Sequence, residues 1–220
     1  MARLLLAVLL LVLAGCASGE PTDTAAPPGT ASPTAPSPAP SSSAPSSTGS
    51  STVPPPAGPV ADPALREELL AMLERDQSGR TGGPDAEGDA ARTARLAEVL
   101  DAHGWPGRDL VGEDGSEAAW AIAQHSDLDP AFQQRALGLL REAVAAGQAS
   151  PGDLAYLTDR VAAGTGQPQT YGTQVACTPE GPVPAVPLAD PAAVERLRAD
   201  AALAPYADYL AEMAAICAEE

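Results

Sequence analysis

The polar residues best suited to chemistry fall in a few short segments of the chain. His125, Asp127 and Asp129 alternate in the segment HSDLD. Spacing by two can bring three ligands to one side of an extended turn, so one interpretation is a site for a divalent metal of unknown identity. In a second interpretation, His125 is a general base tuned by Asp127. In a third, Asp127 forms a turn, Asp129 caps a helix, and neither does chemistry.

A second polar group surrounds a glycine later in the chain. Asp159 and Arg160 come late in a predicted helix, where a carboxylate opposes the helix dipole and needs a partner. A buried ion pair with another arginine is the structural explanation for Asp159, and contact with a substrate is the functional one. In the segment YGTQ, Tyr171, Thr173 and Gln174 place hydrogen-bonding groups around a residue that permits close backbone approach.

Two further segments carry candidate residues. His103 and Trp105 lie in HGWPG, where two glycines and a proline fix the backbone path. The Trp105 indole either plugs the end of a helix bundle or forms one wall of a ligand pocket. Asp76, Gln77 and Arg80 close the first predicted helix with a similarly polar group.

Composition and motifs exclude several classes of protein. The chain has a formal net charge of −17, and all its basic residues are arginines. Such a domain has no electrostatic footprint for nucleic acid and is repelled by anionic surfaces. The sequence contains no nucleophile elbow, phosphate loop, metalloprotease helix or dinucleotide fingerprint. We therefore expect no nucleic-acid partner and no cofactor.

The N-terminus predicts export and lipid attachment. Arg3 precedes an apolar run over 4–14, which is too short to cross a hydrocarbon core that needs roughly 20 helical residues. Residues 13–16 read LAGC, which resembles the lipobox of bacterial lipoproteins. We predict a signal peptide over 1–15 and lipidation of Cys16, with acyl chains such as palmitate as the membrane anchor. The alternative is an ordinary secretory signal with an accidental cysteine.

The remainder divides into a tether and a folded domain. Residues 16–60 comprise the lipidated cysteine and a segment that consists almost entirely of Ser, Thr, Pro, Ala and Gly. Too little apolar surface is present to offset the ordering entropy, so we predict a disordered tether. Residues 61–220 are expected to form one acidic helical domain, long enough to bury a core.

Capping signals and apolar periodicity predict an all-α fold. Asp62, Asp129, Ser150 and Asp190 each precede a proline, as an N-cap precedes the first helical residue. Residues 167–188 contain five prolines and must be extended or looped. A short strand near 170–176 is an alternative for part of this segment. The sequence predicts a compact bundle of about seven helices. The first begins at residue 62, and the other six lie near 89–102, 114–124, 129–146, 150–164, 190–202 and 205–218.

Two cysteines remain after the lipidated one. Cys177 and Cys217 form an even pair in a chain predicted to reach an oxidising compartment, which favours a disulfide. Two buried free thiols are the alternative.

Five ordered segments resemble a family of bacterial domains of unknown function. They are Asp76-Gln77, HGWPG at 103–107, AAWAIAQHSDLDPAFQ at 118–133, AYLTDRV at 155–161 and GQPQTYGTQ at 166–174. The resemblance covers most of 65–215 and brings no activity, cofactor or partner with it. It implies that the following residues belong to the family pattern: His103, Trp105, His125, Asp159, Arg160, Tyr171 and Gln174. The leader, tether and cysteine pair depart from that pattern and argue against a cytoplasmic role.

Two functions from different classes fit these observations. The first is a binding domain on a flexible stalk, outside the cytoplasm and anchored in the cell membrane or an outer membrane. Its partner would be a small ligand, an envelope polymer or another protein. The second is a hydrolytic enzyme whose His/Asp site, with or without a metal, lies around His125 and Asp159.

We predict that Cys16→Ala releases the protein from membranes, because the apolar leader alone is too short to hold it there. Membrane fractionation of cells that produce the variant checks this. A Cys16→Ala chain that stays in the membrane fraction would contradict the lipid anchor.

Overall fold

Residues 60–218 are described by a computed structural model, and the predicted all-α bundle is confirmed there. The predicted signal peptide, Cys16 and the tether through residue 59 lie outside the described residues. Seven helices and one two-stranded antiparallel sheet occur within 60–218: α1 Pro63–Arg80, α2 Gly88–His103, α3 Arg108–Gln124, α4 Pro130–Ala145, α5 Pro151–Gly164, β1 Val175–Thr178, β2 Gly181–Pro184, α6 Val194–Asp200 and α7 Tyr206–Cys217. None of these helices is both long enough and apolar enough to cross a membrane.

Three of the four predicted helix starts are confirmed by their caps. The Asp62 carboxylate accepts the Leu65 amide at 2.9 Å and so caps α1. The Asp129 carboxylate accepts the Phe132 amide at the same distance and caps α4. The Ser150 hydroxyl accepts amides in the first turn of α5. Each cap satisfies a backbone donor that the helix itself cannot pair.

The predicted helix start at Asp190 is wrong, because α6 begins only at Val194. The Asp190 carboxylate accepts the amides of Ala192 and Ala193 at 3.0 and 3.3 Å. These bonds close a turn of the kind that aspartate favours, and the turn occupies the residues assigned to the first helical turn.

The predicted helix over 114–124 forms the second part of α3, and the sequence did not predict the turn that precedes it. The helix begins at Arg108 and is interrupted at Gly112, where φ is 79° and ψ is 173°. The Asp114 carboxylate does not cap this second part, because it pairs with Arg66 of α1. A long-range ion pair therefore replaces the local cap.

The core is built around α3, which packs against α1, α2, α4 and α5. Its second half, from Ala118 to Gln124, is buried on every side. Four of these seven residues are alanines, and small side chains let the surrounding helices approach closely. A helix that is buried all round is expected at the centre of a bundle.

The Pro-rich segment holds a short antiparallel ribbon. The strand left open near 170–176 begins later, at Val175, and pairs with a strand that contains Pro182 and Pro184. Prolines are tolerated there because both strands of a two-stranded sheet have an unpaired edge. Cys177 of β1 and Cys217 at the end of α7 form a disulfide, as predicted.

Replacing both cysteines by serine is expected to lower the free energy of unfolding by roughly 4 kcal/mol, because the disulfide restricts the unfolded chain. The bond closes a loop with a sequence separation of 40 residues. Denaturant unfolding with and without a reductant measures the effect, and the double serine variant is the control that a reductant should not change. An unchanged unfolding midpoint on reduction of the native chain would contradict the prediction.

Candidate functional site

The His125 side chain is hydrogen-bonded to a buried aspartate that lies far from it in the sequence. It is the C-cap residue of α3, and its Nδ1 lies 2.8 Å from Oδ2 of Asp76 in α1, 49 residues away. The Asp76 side chain is fully buried, whereas that of His125 is 9% exposed. No described residue forms a hydrogen bond with His125 Nε2. The imidazole is therefore fixed at Nδ1, and its Nε2 is not bonded within the described residues.

Two groups lie within hydrogen-bond distance of His125 Nδ1. One requires Nδ1 to be a donor and the other requires it to be an acceptor. Asp76 Oδ2 requires a donor at Nδ1, whereas Arg80 Nε, at 3.0 Å, always carries a hydrogen and requires an acceptor. The Arg80 Nε hydrogen has both Asp76 oxygens within 3.3 Å as alternative acceptors. The contact with Asp76 is the shorter one, and a carboxylate is the stronger acceptor. We assign the hydrogen on Nδ1 to the bond with Asp76.

Arginines and carboxylates from α1, α2 and the loop between them surround this pair. Arg80 Nη2 lies 3.0 Å from Asp76 and 2.9 Å from Asp89. Arg92 donates to both oxygens of Asp85, at 2.7 and 2.8 Å, and to Asp89 at 2.6 Å. We call the whole group the Asp76 cluster: Asp76, Arg80, Asp85, Asp89, Arg92 and His125. Its three carboxylates and two guanidinium groups sum to −1 with a neutral histidine.

The cluster keeps Asp76 ionised despite its burial. Burial on its own would raise the pKa of Asp76. Hydrogen bonds from His125 and Arg80 outweigh that effect and lower the pKa to about 2. The charge of Asp76 is therefore a constant feature of the folded protein at neutral pH.

The HSDLD segment does not assemble a metal site. The Asp127 carboxylate accepts a hydrogen bond from Arg160 Nε at 2.9 Å and one from the Gln133 side-chain amide at 3.1 Å. Asp129 caps α4, and His125 belongs to the Asp76 cluster. Within residues 60–218, no three His, Cys, Asp or Glu side chains are grouped as metal ligands. The turn and cap interpretation holds for the two aspartates.

Asp159 is bonded to backbone amides, and no arginine pairs with it among the described residues. The carboxylate accepts the amides of Thr170 at 2.6 Å, Tyr171 at 3.0 Å and Thr173 at 3.0 Å. The Thr173 hydroxyl adds a fourth donor at 3.1 Å. Burial raises the pKa of Asp159, and these donors offset part of the rise. The expected arginine partner is therefore wrong, and the carboxylate shapes the loop that follows α5.

Gln169 and Gln174 lock the same loop from its two ends. The Gln169 side chain accepts the Gln174 amide at 2.9 Å and donates to the Gln174 carbonyl at 2.9 Å. Arg160 Nη1 donates to the Gln174 side chain at 3.2 Å. Gly172 has a φ of 69°, and a Cβ there would lie 2.6 Å from the Tyr206 ring. Close backbone approach is thus the reason for this glycine, as the sequence indicated.

The predicted site residues separate into two groups. Hydrogen bonds join Arg160 to Asp127 and to Gln174, and His125 lies two residues before Asp127. Asp159 adjoins Arg160 in α5 and accepts the Tyr171 amide. His103 is an exposed residue at the end of α2. Trp105 is buried in the core, where its Nε1 donates to the Ser116 hydroxyl at 3.1 Å. The interpretation of Trp105 as a packing residue is therefore the one that the contacts support.

Sequence reasoning missed Arg92, which is 2% exposed and central to the Asp76 cluster. A signal for it was present. Arg92, Leu96 and Leu100 follow the i, i+4, i+8 spacing of the buried stripe of α2. A charged residue on an apolar helical stripe requires a buried partner.

Comparison with known proteins supplies a family. Residues 63–216 match the family described as "Family of unknown function (DUF6624)". The chain belongs to this family. No curated protein and no solved structure matches the chain. The predicted membership of a family of unknown function is confirmed, and the function of this DUF6624 protein has to be argued from its own residues.

Replacing Asp76 by asparagine is expected to lower the free energy of unfolding by roughly 3 kcal/mol, because it leaves buried cations without their anion. Since the folded pKa of Asp76 lies below the unfolded value of 3.8, its stabilising contribution is complete above about pH 4 and is lost as the pH falls towards 2. Denaturant unfolding from pH 2 to 7 measures both effects.

Asp101→Asn is the matched control, because Asp101 forms an exposed ion pair with Arg135. An exposed pair contributes about 0–1 kcal/mol. Equal destabilisation by the two variants would contradict the account of the Asp76 cluster.

Proposed function

We propose that this DUF6624 protein is a lipid-anchored domain outside the cytoplasm that binds the glycan–peptide polymer of the cell envelope through the surface at His125. One observation carries the proposal. The imidazole is held by a buried carboxylate at Nδ1, while Nε2 has no hydrogen-bond partner among the described residues. A polar group that is fixed in position and not yet bonded loses little entropy when it meets a ligand.

Three features support the location. The LAGC segment follows an apolar run of the length expected for a secretory signal. A tether rich in Ser, Thr and Pro follows the cysteine and suits a stalk that reaches through envelope polymer. The disulfide between Cys177 and Cys217 is the kind of bond that persists in oxidising compartments.

The charge of the protein narrows the class of ligand. A net charge of −17 disfavours phosphate-rich wall polymers and anionic lipid headgroups most strongly. The hydroxyl and amide groups of a glycan–peptide wall polymer suit an imidazole nitrogen. In the neutral tautomer that Asp76 favours, Nε2 is an acceptor for such donors. Peptidoglycan is therefore the partner to test first.

A hydrolytic activity is the second candidate, and the geometry of the same pair favours it. Asp76 holds His125 as a carboxylate orients a general base, with Nε2 free to take a proton. No hydroxyl nucleophile is available beside it in the chain, because the Ser126 hydroxyl donates to the Ile122 carbonyl and accepts from Thr93. The nucleophile in such a reaction would be water.

His125→Gln is expected to weaken binding to purified peptidoglycan sacculi by about tenfold or more, because it removes the fixed imidazole nitrogen from the surface. Co-sedimentation of the purified full chain with sacculi over a range of sacculus concentrations measures the affinity. His103→Gln is the matched control, since the chain has two histidines and His103 is exposed and outside the cluster. The control is expected to bind as the native chain does.

Absence of binding, or equal binding by both histidine variants, would contradict the binding proposal. Release of soluble fragments from the sacculi separates the second candidate from the first. The second candidate predicts that the release of fragments requires His125 and decreases when the imidazole is protonated. That result would identify the function as hydrolysis in place of binding.

A further inference from the structure

A small cavity opens where the start of α3 meets the first turn of α5. Its volume is about 240 Å³. The polar residues that line it are Arg108, Glu113, Ser116, Glu117, Ser150 and Asp153. None of them belongs to the Asp76 cluster. From Glu117 to His125 is roughly 12 Å along α3, at about 1.5 Å per residue. The cavity is therefore a separate feature from the surface at His125.

The walls of the cavity carry an excess of negative charge. Three carboxylates, on Glu113, Glu117 and Asp153, face one guanidinium, and the four groups sum to −2 when all are ionised. The Arg108 guanidinium lies 3.4 Å from Glu113 and 3.3 Å from the Gly147 carbonyl. It has no hydrogen bond to Glu117 or Asp153 in residues 60–218. Neither of these carboxylates is hydrogen-bonded to a cation within the described residues.

The carboxylates of the cavity differ from three others that are paired with arginine. Asp76, Asp85 and Asp114 each accept hydrogen bonds from an arginine, and the pKa of each is lowered. Burial, followed by repulsion from Glu117, raises the pKa of Asp153 to about 7, and Arg108 and the Ser150 hydroxyl offset only part of this. Burial and repulsion from Glu113 also raise the pKa of Glu117. The cavity walls are electrostatically unsatisfied without a ligand.

Ser116 supplies an independent indication of a ligand. The residue is 3% exposed and lines the cavity. Its Oγ accepts the indole N–H of Trp105 at 3.1 Å, but no acceptor within the described residues takes its own hydroxyl proton. A buried hydroxyl group that donates no hydrogen bond is rare, because an unsatisfied donor in the protein interior costs free energy. An acceptor that enters the cavity would complete its bonding.

We propose that this cavity binds a small protonated amine that also carries a hydroxyl group, with the ammonium between Glu117 and Asp153 and the hydroxyl oxygen accepting from Ser116. The excess negative charge disfavours an anion. A metal ion is disfavoured because the described residues hold no group of metal ligands. Pockets for drug-sized ligands measure about 300–1,000 Å³, so a cavity of about 240 Å³ suits a smaller molecule or one residue of a larger one.

Isothermal titration of the full chain with ethanolamine tests the proposal, because ethanolamine has the required amine and hydroxyl. Ethylene glycol, which lacks the amine, and acetate, which is an anion, are the comparison ligands at pH 8. We expect saturable binding of ethanolamine and at least about tenfold weaker binding of the other two, since each lacks a cation for the carboxylates.

Asp153→Asn and Glu117→Gln are each expected to weaken ethanolamine binding by about tenfold or more, because each removes one of the two charges. Neither change leaves a buried cation unpaired, so both variants are expected to fold. Asp208→Asn is the matched control, because Asp208 is the third residue of α7, as Asp153 is of α5, and is exposed. It is expected to bind as the native chain does.

The pH dependence gives a second readout. Asp153 ionises with a pKa of about 7 among Arg108, Glu113 and Glu117, so ethanolamine, which stays protonated, should bind more tightly at pH 8 than at pH 6. Asp153→Asn should weaken this dependence. Lack of saturable ethanolamine binding, tighter binding of acetate, or equal affinities of the Asp153 and Asp208 variants would overturn the proposal. These outcomes leave the proposed role of His125 to its own test.

Discussion

The buried charge of Asp76 is the constraint on which the arrangement around His125 depends. An isolated carboxylate in a protein interior costs several kcal/mol, so the fold must surround it with donors and cations. Arg80 from α1, Arg92 from α2 and His125 from the end of α3 meet this need. The relative positions of these three helices are therefore fixed by electrostatic interactions as well as by apolar packing. The orientation of His125 follows from the same requirement.

Asp159 shows the other solution to the same problem. Its carboxylate is fully buried and is bonded by three backbone amides and one hydroxyl in place of arginine. The consequence is a tightly formed loop after α5, which Arg160 connects to Asp127 beside His125. Most of the polar residues that looked available for chemistry are thus used in structure. The open imidazole nitrogen and the acidic cavity are the exceptions that carry our proposals.

Local features of the sequence predicted the fold well, and long-range pairing limited the prediction of the site. The caps at Asp62, Asp129 and Ser150 were predictable because a cap involves residues only two or three apart. The pairing of Asp76 with His125 joins residues 49 apart, and no local pattern encodes it. The pairing of Asp114 with Arg66 joins residues 48 apart and was unpredictable for the same reason.

The protonation of His125 tests the central claim most directly. Nitrogen-15 NMR of the full chain, labelled in histidine, reports which ring nitrogen carries the hydrogen once the imidazole is neutral, and the exposed His103 serves as the internal reference. The account predicts that the hydrogen of neutral His125 resides on Nδ1, facing Asp76, and that Nε2 is unprotonated. A neutral His125 with its hydrogen on Nε2 would show that Asp76 does not orient the ring, and would contradict the account.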